Sequence, residues 1–171
     1  MLDPYFLWLE STAFSTWMRE STSIFAFPLV LALHTVGLGL IAGLSVALDL
    51  RILGFAARIP LPEFRCFLPL MWLGLWLNVT SGLALLAAYP TKALTNPVFY
   101  LKLGLIGVAL VILKVVRRRL QTEGTAVTMS RSRNFRILAA ASILCWAGAI
   151  TAGRFLAYTY TRLMVDSVPR P

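Results

Sequence analysis

The chain has 171 residues, 58% hydrophobic and 13% charged, with a net charge of +9 and a mean hydropathy of +0.77. Soluble domains carry about a quarter charged residues, so this composition excludes an ordinary soluble enzyme and places the chain in the membrane class. The positive charge raises nucleic acid as a partner, but most basic residues lie between or beside apolar runs, as membrane topology and anionic lipid require, so no nucleic-acid role is expected.

In chain order, Asp3 followed by Pro4 reads as a helix cap and first-turn proline. From there to about residue 20 the spacing predicts an amphipathic helix lying in the membrane interface. Phe6, Leu9, Ala13 and Trp17 share its apolar face, Ser11, Ser15 and Arg19 lie opposite, and Trp8 and Trp17 act as anchors. Its alternative role is a lid over a site in the outer leaflet. The opening "MLDPYFLWLE" has no basic segment before a short apolar core, so no cleavable signal is expected.

Four apolar stretches follow, at residues 24–48, 66–88, 97–116 and 135–160, each near the ~20 residues that span a bilayer. The expected fold is all-α: a polytopic four-transmembrane-helix bundle over residues 24–160, with residues 161–171 as a tail. Pro60 and Pro62 separate the first two spans, and Asn96 before Pro97 repeats the cap-then-proline chemistry. Arg51, Arg58 and Arg65 lie at the first connection, and Lys114, Arg117, Arg118, Arg119, Arg131, Arg133 and Arg136 at the third. The positive-inside rule makes that side cytoplasmic and sends both termini outward, where Tyr89, Tyr100, Tyr158 and Tyr160 form an aromatic belt. The polar, basic connection over residues 121–134 is expected to be mobile. Cys66 and Cys145 fall at different depths, so no disulfide is expected, and no CxxC spacing exists.

Ionisable groups inside a bilayer are costly, which makes each a functional candidate. His34, the only histidine, lies roughly 9–15 Å from the outer surface, and Lys102 roughly 7–8 Å, at a rise of 1.5 Å per residue. Arg154 lies at a depth similar to that of Lys102, and Asn78 adds a polar side chain in the second span. No carboxylate shares that depth, so the group suits an anionic ligand with an electrophilic centre, such as haem b. His34 would be the axial ligand, Lys102 the second ligand or a propionate partner, and Arg154 a propionate partner. Gly37 would leave room for a ring edge, as would the small face of Gly74, Asn78, Ser81 and Gly82. Met71 lies too deep to serve as the sixth ligand, and Met18 reaches only if the first helix folds over the site.

Each residue also has a plainer reading. His34 is a packing hydrogen bonder, Lys102 and Arg154 are interfacial anchors, and Asn78 with Ser81 links two helices. Gly39 and Gly43 form a GxxxG packing face, and Asp49 and Arg51 form an end-cap pair or a loop contact. The haem reading implies redox work: electron exchange with quinone or a redox partner protein, or oxidation of a small substrate at the outer face. Its rival is a small transporter or a scaffold subunit. Small-residue faces on several spans predict a homo-oligomer. No nucleophile triad, general-base pair or phosphate loop supports hydrolysis or phosphoryl transfer.

The segments "LHTVGLGLIAG" and "NPVFYLKLGLIGVAL" together resemble the HemJ-type protoporphyrinogen oxidases and the wider set of small bacterial membrane proteins related to copper-resistance protein D. The resemblance covers roughly residues 30–115. It implies a bacterial inner-membrane protein in which His34 and Lys102 take the haem-binding positions of the first and third spans. The chain departs from the HemJ pattern after the histidine, where it has "GLGLIAGLSVALDLR", and it adds the outer amphipathic helix.

Overall fold

The computed structural model describes residues 8–121 and 132–166. The expected cap at Asp3 and Pro4 and most of the basic connection before α6 lie outside the described residues. Among the described residues every regular element is helical: α1 (Ala13–Glu20), α2 (Phe27–Leu53), a 3-10 helix (Leu61–Phe67), α3 (Leu68–Ala88), the short α4 (Pro90–Leu94), α5 (Pro97–Gln121) and α6 (Arg133–Asp166). The stretches Phe27–Leu53, Leu61–Ala88, Pro97–Leu120 and Arg133–Leu156 are each long and apolar enough to cross a membrane. The chain is thus a multi-pass, all-α membrane protein whose spans run alternately up and down.

Proline and glycine set the boundaries. Pro28, Pro69, Pro90 and Pro97 occupy first-turn positions, where the missing N–H costs nothing. Asn96 Oδ1 accepts from the Val98 N–H at 2.9 Å, so the expected cap of α5 is formed. Gly54, at φ 109°, closes α2 in the left-handed conformation that glycine adopts without strain. At the C-terminal side the helix continues past residue 160, through the first part of the expected tail, because no glycine or proline falls between Gly153 and Pro169.

The expected single helix over residues 3–19 is broken at Ser11 and Thr12. Their hydroxyls donate to the carbonyls of Trp8 (2.7 Å) and Leu9 (2.8 Å), competing with helix propagation. Thr12 then caps α1 by accepting from the Ser15 N–H at 3.4 Å. The orientation of α1 also differs from expectation, because its polar face turns toward the protein. Ser15 Oγ donates to the Ala87 carbonyl, and Arg19 donates to the carbonyls of Ala88 (3.3 Å) and Glu10 (2.6 Å). Glu10 in turn accepts from the Thr91 N–H at 3.3 Å. These side chains satisfy backbone groups left over at the end of α3 and the start of α4. Met18 is fully buried beneath, whereas Trp8, Phe14 and Trp17 face outward.

The spans do not close into a symmetric bundle. α2 packs along α3 and against α6, α5 packs along α6, and α3 and α5 barely meet. Close packing of α2 on α3 follows from two glycines. A Cβ on Gly37 would stand 2.7 Å from Asn78 N and 2.9 Å from the Gly74 carbonyl oxygen, and one on Gly74 would stand 2.6 Å from Leu40 Cβ. The backbones therefore touch at this crossing, as small residues permit in membranes. The expected packing pair is not used within the protomer: a methyl group added at Gly39 or Gly43 would meet nothing within 4 Å.

α2 and α6 meet along a seam that includes a buried carboxylate. Asp49, 3% exposed, accepts from the Ser142 hydroxyl and does not pair with Arg51. Arg51 instead donates to the carbonyls of Ile59 (2.5 Å) and Ala57 (3.0 Å), closing the loop after α2. One turn from the Asp49–Ser142 contact lie Ile52 and Ala139 on one side and Ser45 and Trp146 on the other, all buried. The apolar core is concentrated from mid-membrane to this basic end, in one cluster around Leu48, Ile52, Val116 and Leu120 and another around Ile41, Met71, Ala109 and Trp146.

The crossing predicts a contrast between two alanine substitutions, read as the unfolding midpoint in detergent. Gly37→Ala forces the backbones of α2 and α3 apart and destabilises by about 1–3 kcal/mol. Gly39→Ala meets open space and leaves stability unchanged or raises it by up to about 1 kcal/mol through helix propensity.

Candidate functional site

Because α3 and α5 stand apart, the half of the molecule away from the basic end contains a cavity of about 460 Å³ between them, floored by α2 and α6. This is within the ~300–1,000 Å³ range of pockets that hold cofactor-sized ligands. Its walls are mostly apolar, including Leu31, Val79, Leu83, Phe99, Leu103 and Ile106. Its polar content is concentrated in His34, Asn78, Lys92 and Lys102, and among the described residues no carboxylate lines it.

His34 stands seven residues into α2, roughly 10 Å below its start. Its Nδ1 lies 3.1 Å from the Asn78 carbonyl oxygen and 3.1 Å from Ser81 Oγ. A carbonyl only accepts, so this contact places the proton of the ring on Nδ1. The Nε2 lone pair is left without a hydrogen-bond partner among the described residues. Asn78 returns the contact, its Nδ2 donating to the His34 carbonyl at 2.9 Å. The ring lies over Gly82, where a Cβ would come within 3.2 Å of Cε1. Sequence, helix contact and ring orientation are thus one device: the small face of α3 admits the imidazole and fixes its tautomer.

Lys102 projects from the first turns of α5, its stem 3.7 Å from the position a Gly153 Cβ would take on α6. It makes no hydrogen bond or ion pair with any described residue. Lys92 enters from α4, with Nζ 6.0 Å from the Tyr89 ring centroid, and Tyr89 meets Phe27 edge-on at 5.9 Å. Two ammonium groups and one imidazole therefore share a cavity with no acidic side chain among the described residues, an arrangement that favours an amphiphile with an apolar body and anionic groups.

The structure brings His34, Asn78 and Lys102 together. Arg154 is exposed and is not among the residues lining the cavity; its neighbour Gly153 is. Gly37 is filled by α3 and offers no room for a ligand edge, and Gly74 is taken up in the same contact. Met18 and Met71 do not line this cavity either: Met18 is enclosed under α1, and Met71 belongs to the mid-membrane core. Among the described residues no group of three or more His, Cys, Asp or Glu is placed to hold a bare metal ion, and Cys66 and Cys145 are unpaired. Sequence reasoning did not single out Lys92 as a site residue. The signal was Pro90, which starts the short α4 and turns Lys92 back over the cavity.

No family model, curated protein or solved structure matches the chain.

With a single histidine, selective 15N-histidine labelling gives one residue's signals. At alkaline pH the neutral ring is expected to show a protonated Nδ1 and an unprotonated Nε2. The same pattern is expected in Asn78→Ala, which keeps the accepting carbonyl. Gly82→Val displaces the ring and is expected to lose it.

Proposed function

We propose that this chain binds haem b in the cavity between α3 and α5 and works as a membrane redox protein. The observation that carries the reading is the His34 Nε2 lone pair, held by the Nδ1 contact to α3 in a cavity with two lysines and, among the described residues, no carboxylate. Neutral imidazole with its other nitrogen bonded to a carbonyl is the form that ligates iron. The residues fit the group. His34 would supply a nitrogen to the iron, Lys102 a second ligand or a propionate contact, and Lys92 a propionate contact. The apolar walls would take the macrocycle.

Haem b supplies one-electron chemistry when bound. The chain's own residues orient and enclose it: Ser81 and Asn78 fix the imidazole, and Leu83, Phe99 and Leu103 exclude water. The seam between α3 and α5 suits electron exchange with a quinone arriving through lipid, or with a redox partner protein at the membrane surface. In this reading the basic end is cytoplasmic, both termini lie on the opposite side of a bacterial inner membrane, and the open face of Gly39 and Gly43 serves a homo-oligomer.

A reduced-minus-oxidised absorption spectrum of protein purified with haem supplied tests this. A Soret band with b-type α and β bands is expected, lost in His34→Ala and shifted in Lys102→Ala if the amine is a ligand. A folded, colourless wild-type protein overturns the haem reading.

A further inference from the structure

A second cavity, of about 440 Å³, lies on the same side of the molecule toward the basic end. Its walls are again faces of α3 and α5 that do not meet. Leu68, Met71, Trp72 and Leu75 come from α3, and Leu110, Val111 and Lys114 from α5, followed on the same α5 face by Arg117 and Arg118. The spacing of Lys114, Arg117 and Arg118, three and four residues apart, stacks their cationic ends at one end of an apolar trough. Among the described residues no carboxylate lines it.

Positive charge at this end of the bundle is expected from topology alone, so the use each residue makes of its charge decides the matter. Arg51 commits its guanidinium to the Ile59 and Ala57 carbonyls. Arg65 commits its own to the Leu120 carbonyl. Arg117 differs: its guanidinium lies 5.3 Å from the Trp72 ring centroid, and its Nε is buried with no hydrogen-bond partner. A guanidinium fixed against an aromatic face, with a buried unused donor at the edge of an apolar trough, is arranged for an oxyanion that brings a hydrocarbon tail.

We propose that this second cavity is a binding site for an anionic glycerophospholipid of the leaflet at the basic end. Its phosphate would take the Arg117 and Lys114 donors, and an acyl chain would lie along Leu68, Trp72 and Val111. The occupant is a lipid rather than free phosphate because most of the site is apolar and the gap between α3 and α5 opens sideways. The site is independent of haem, which would occupy the other cavity.

Native mass spectrometry of the full chain in neutral detergent, titrated with phosphatidylglycerol or phosphatidylcholine of the same acyl chains, tests the proposal. Phosphatidylglycerol is expected to bind about ten-fold more tightly. Arg117→Gln is expected to erase that preference, whereas Arg58→Gln, an equal loss of charge at the same end, preserves it. Val111→Trp, which fills the trough from its open side and keeps every charge, is also expected to abolish binding and serves if Arg117→Gln does not fold. Equal binding of the two lipids, equal losses in Arg117→Gln and Arg58→Gln, or displacement of the lipid by inorganic phosphate at matched concentration would each overturn it.

Discussion

The backbone contact between α2 and α3 at Gly37 and Gly74 is the constraint on which the rest of the arrangement depends. With no side chain at either position, the two helices approach until a methyl group would collide with main-chain atoms. Membrane helices gain little from hydrophobic burial against each other, so such contacts and the hydrogen bonds they permit decide which helices pair. Here they commit α3 to α2. α5 is committed to α6 in a similar way, with Leu105 against Gly148. The two helix pairs then join through α2 and α6, and α3 and α5 are left facing each other across a gap.

That gap gives His34 two surroundings, the helix contact on one side and the cavity on the other. The packing-hydrogen-bonder reading and the ligand reading are not alternatives, because the imidazole has two nitrogens. Nδ1 belongs to the helix contact and Nε2 to the cavity. The polar side chains elsewhere divide differently. Ser15, Arg19, Arg51 and Arg65 are consumed by backbone carbonyls at helix ends and loops, and Asp49 is met by Ser142 while its Oδ2 stays buried without a partner. Lys102 is not consumed in this way, and Arg117 keeps an unused buried donor, so the two cavities carry distinct anion-seeking ends.

Much of the architecture was legible in the sequence. The four spans follow from apolar length, and the start of the third from Asn96 and Pro97; the other starts fall a few residues from where apolar length alone put them. The sharing of one cavity by His34 and Lys102 followed from depth counting alone, since both lie within a few turns of the same membrane face. What depth cannot give is rotation about the helix axis. Arg154 has the right depth and lies off the cavity, whereas Gly153 lines it. Gly37 faces α3 and Gly39 does not, although both sit in the same apolar run. The face that α1 turns inward was also hidden. Apolar spacing along a helix shows that its two faces differ, but it does not show that helix-end carbonyls will claim the polar one. The Asp49–Ser142 pairing is between helices and leaves no local signature.

The most direct test of the account is whether the gap between α3 and α5 exists in a bilayer. Nitroxide labels at Val79 on α3 and Leu103 on α5, read by oxygen collision rates in the unliganded protein in liposomes, report it. The account predicts high, lipid-like accessibility at both positions and low accessibility at the buried Ala109. Low accessibility at Val79 and Leu103, matching Ala109, would mean that α3 and α5 close on each other, and neither cavity would then stand.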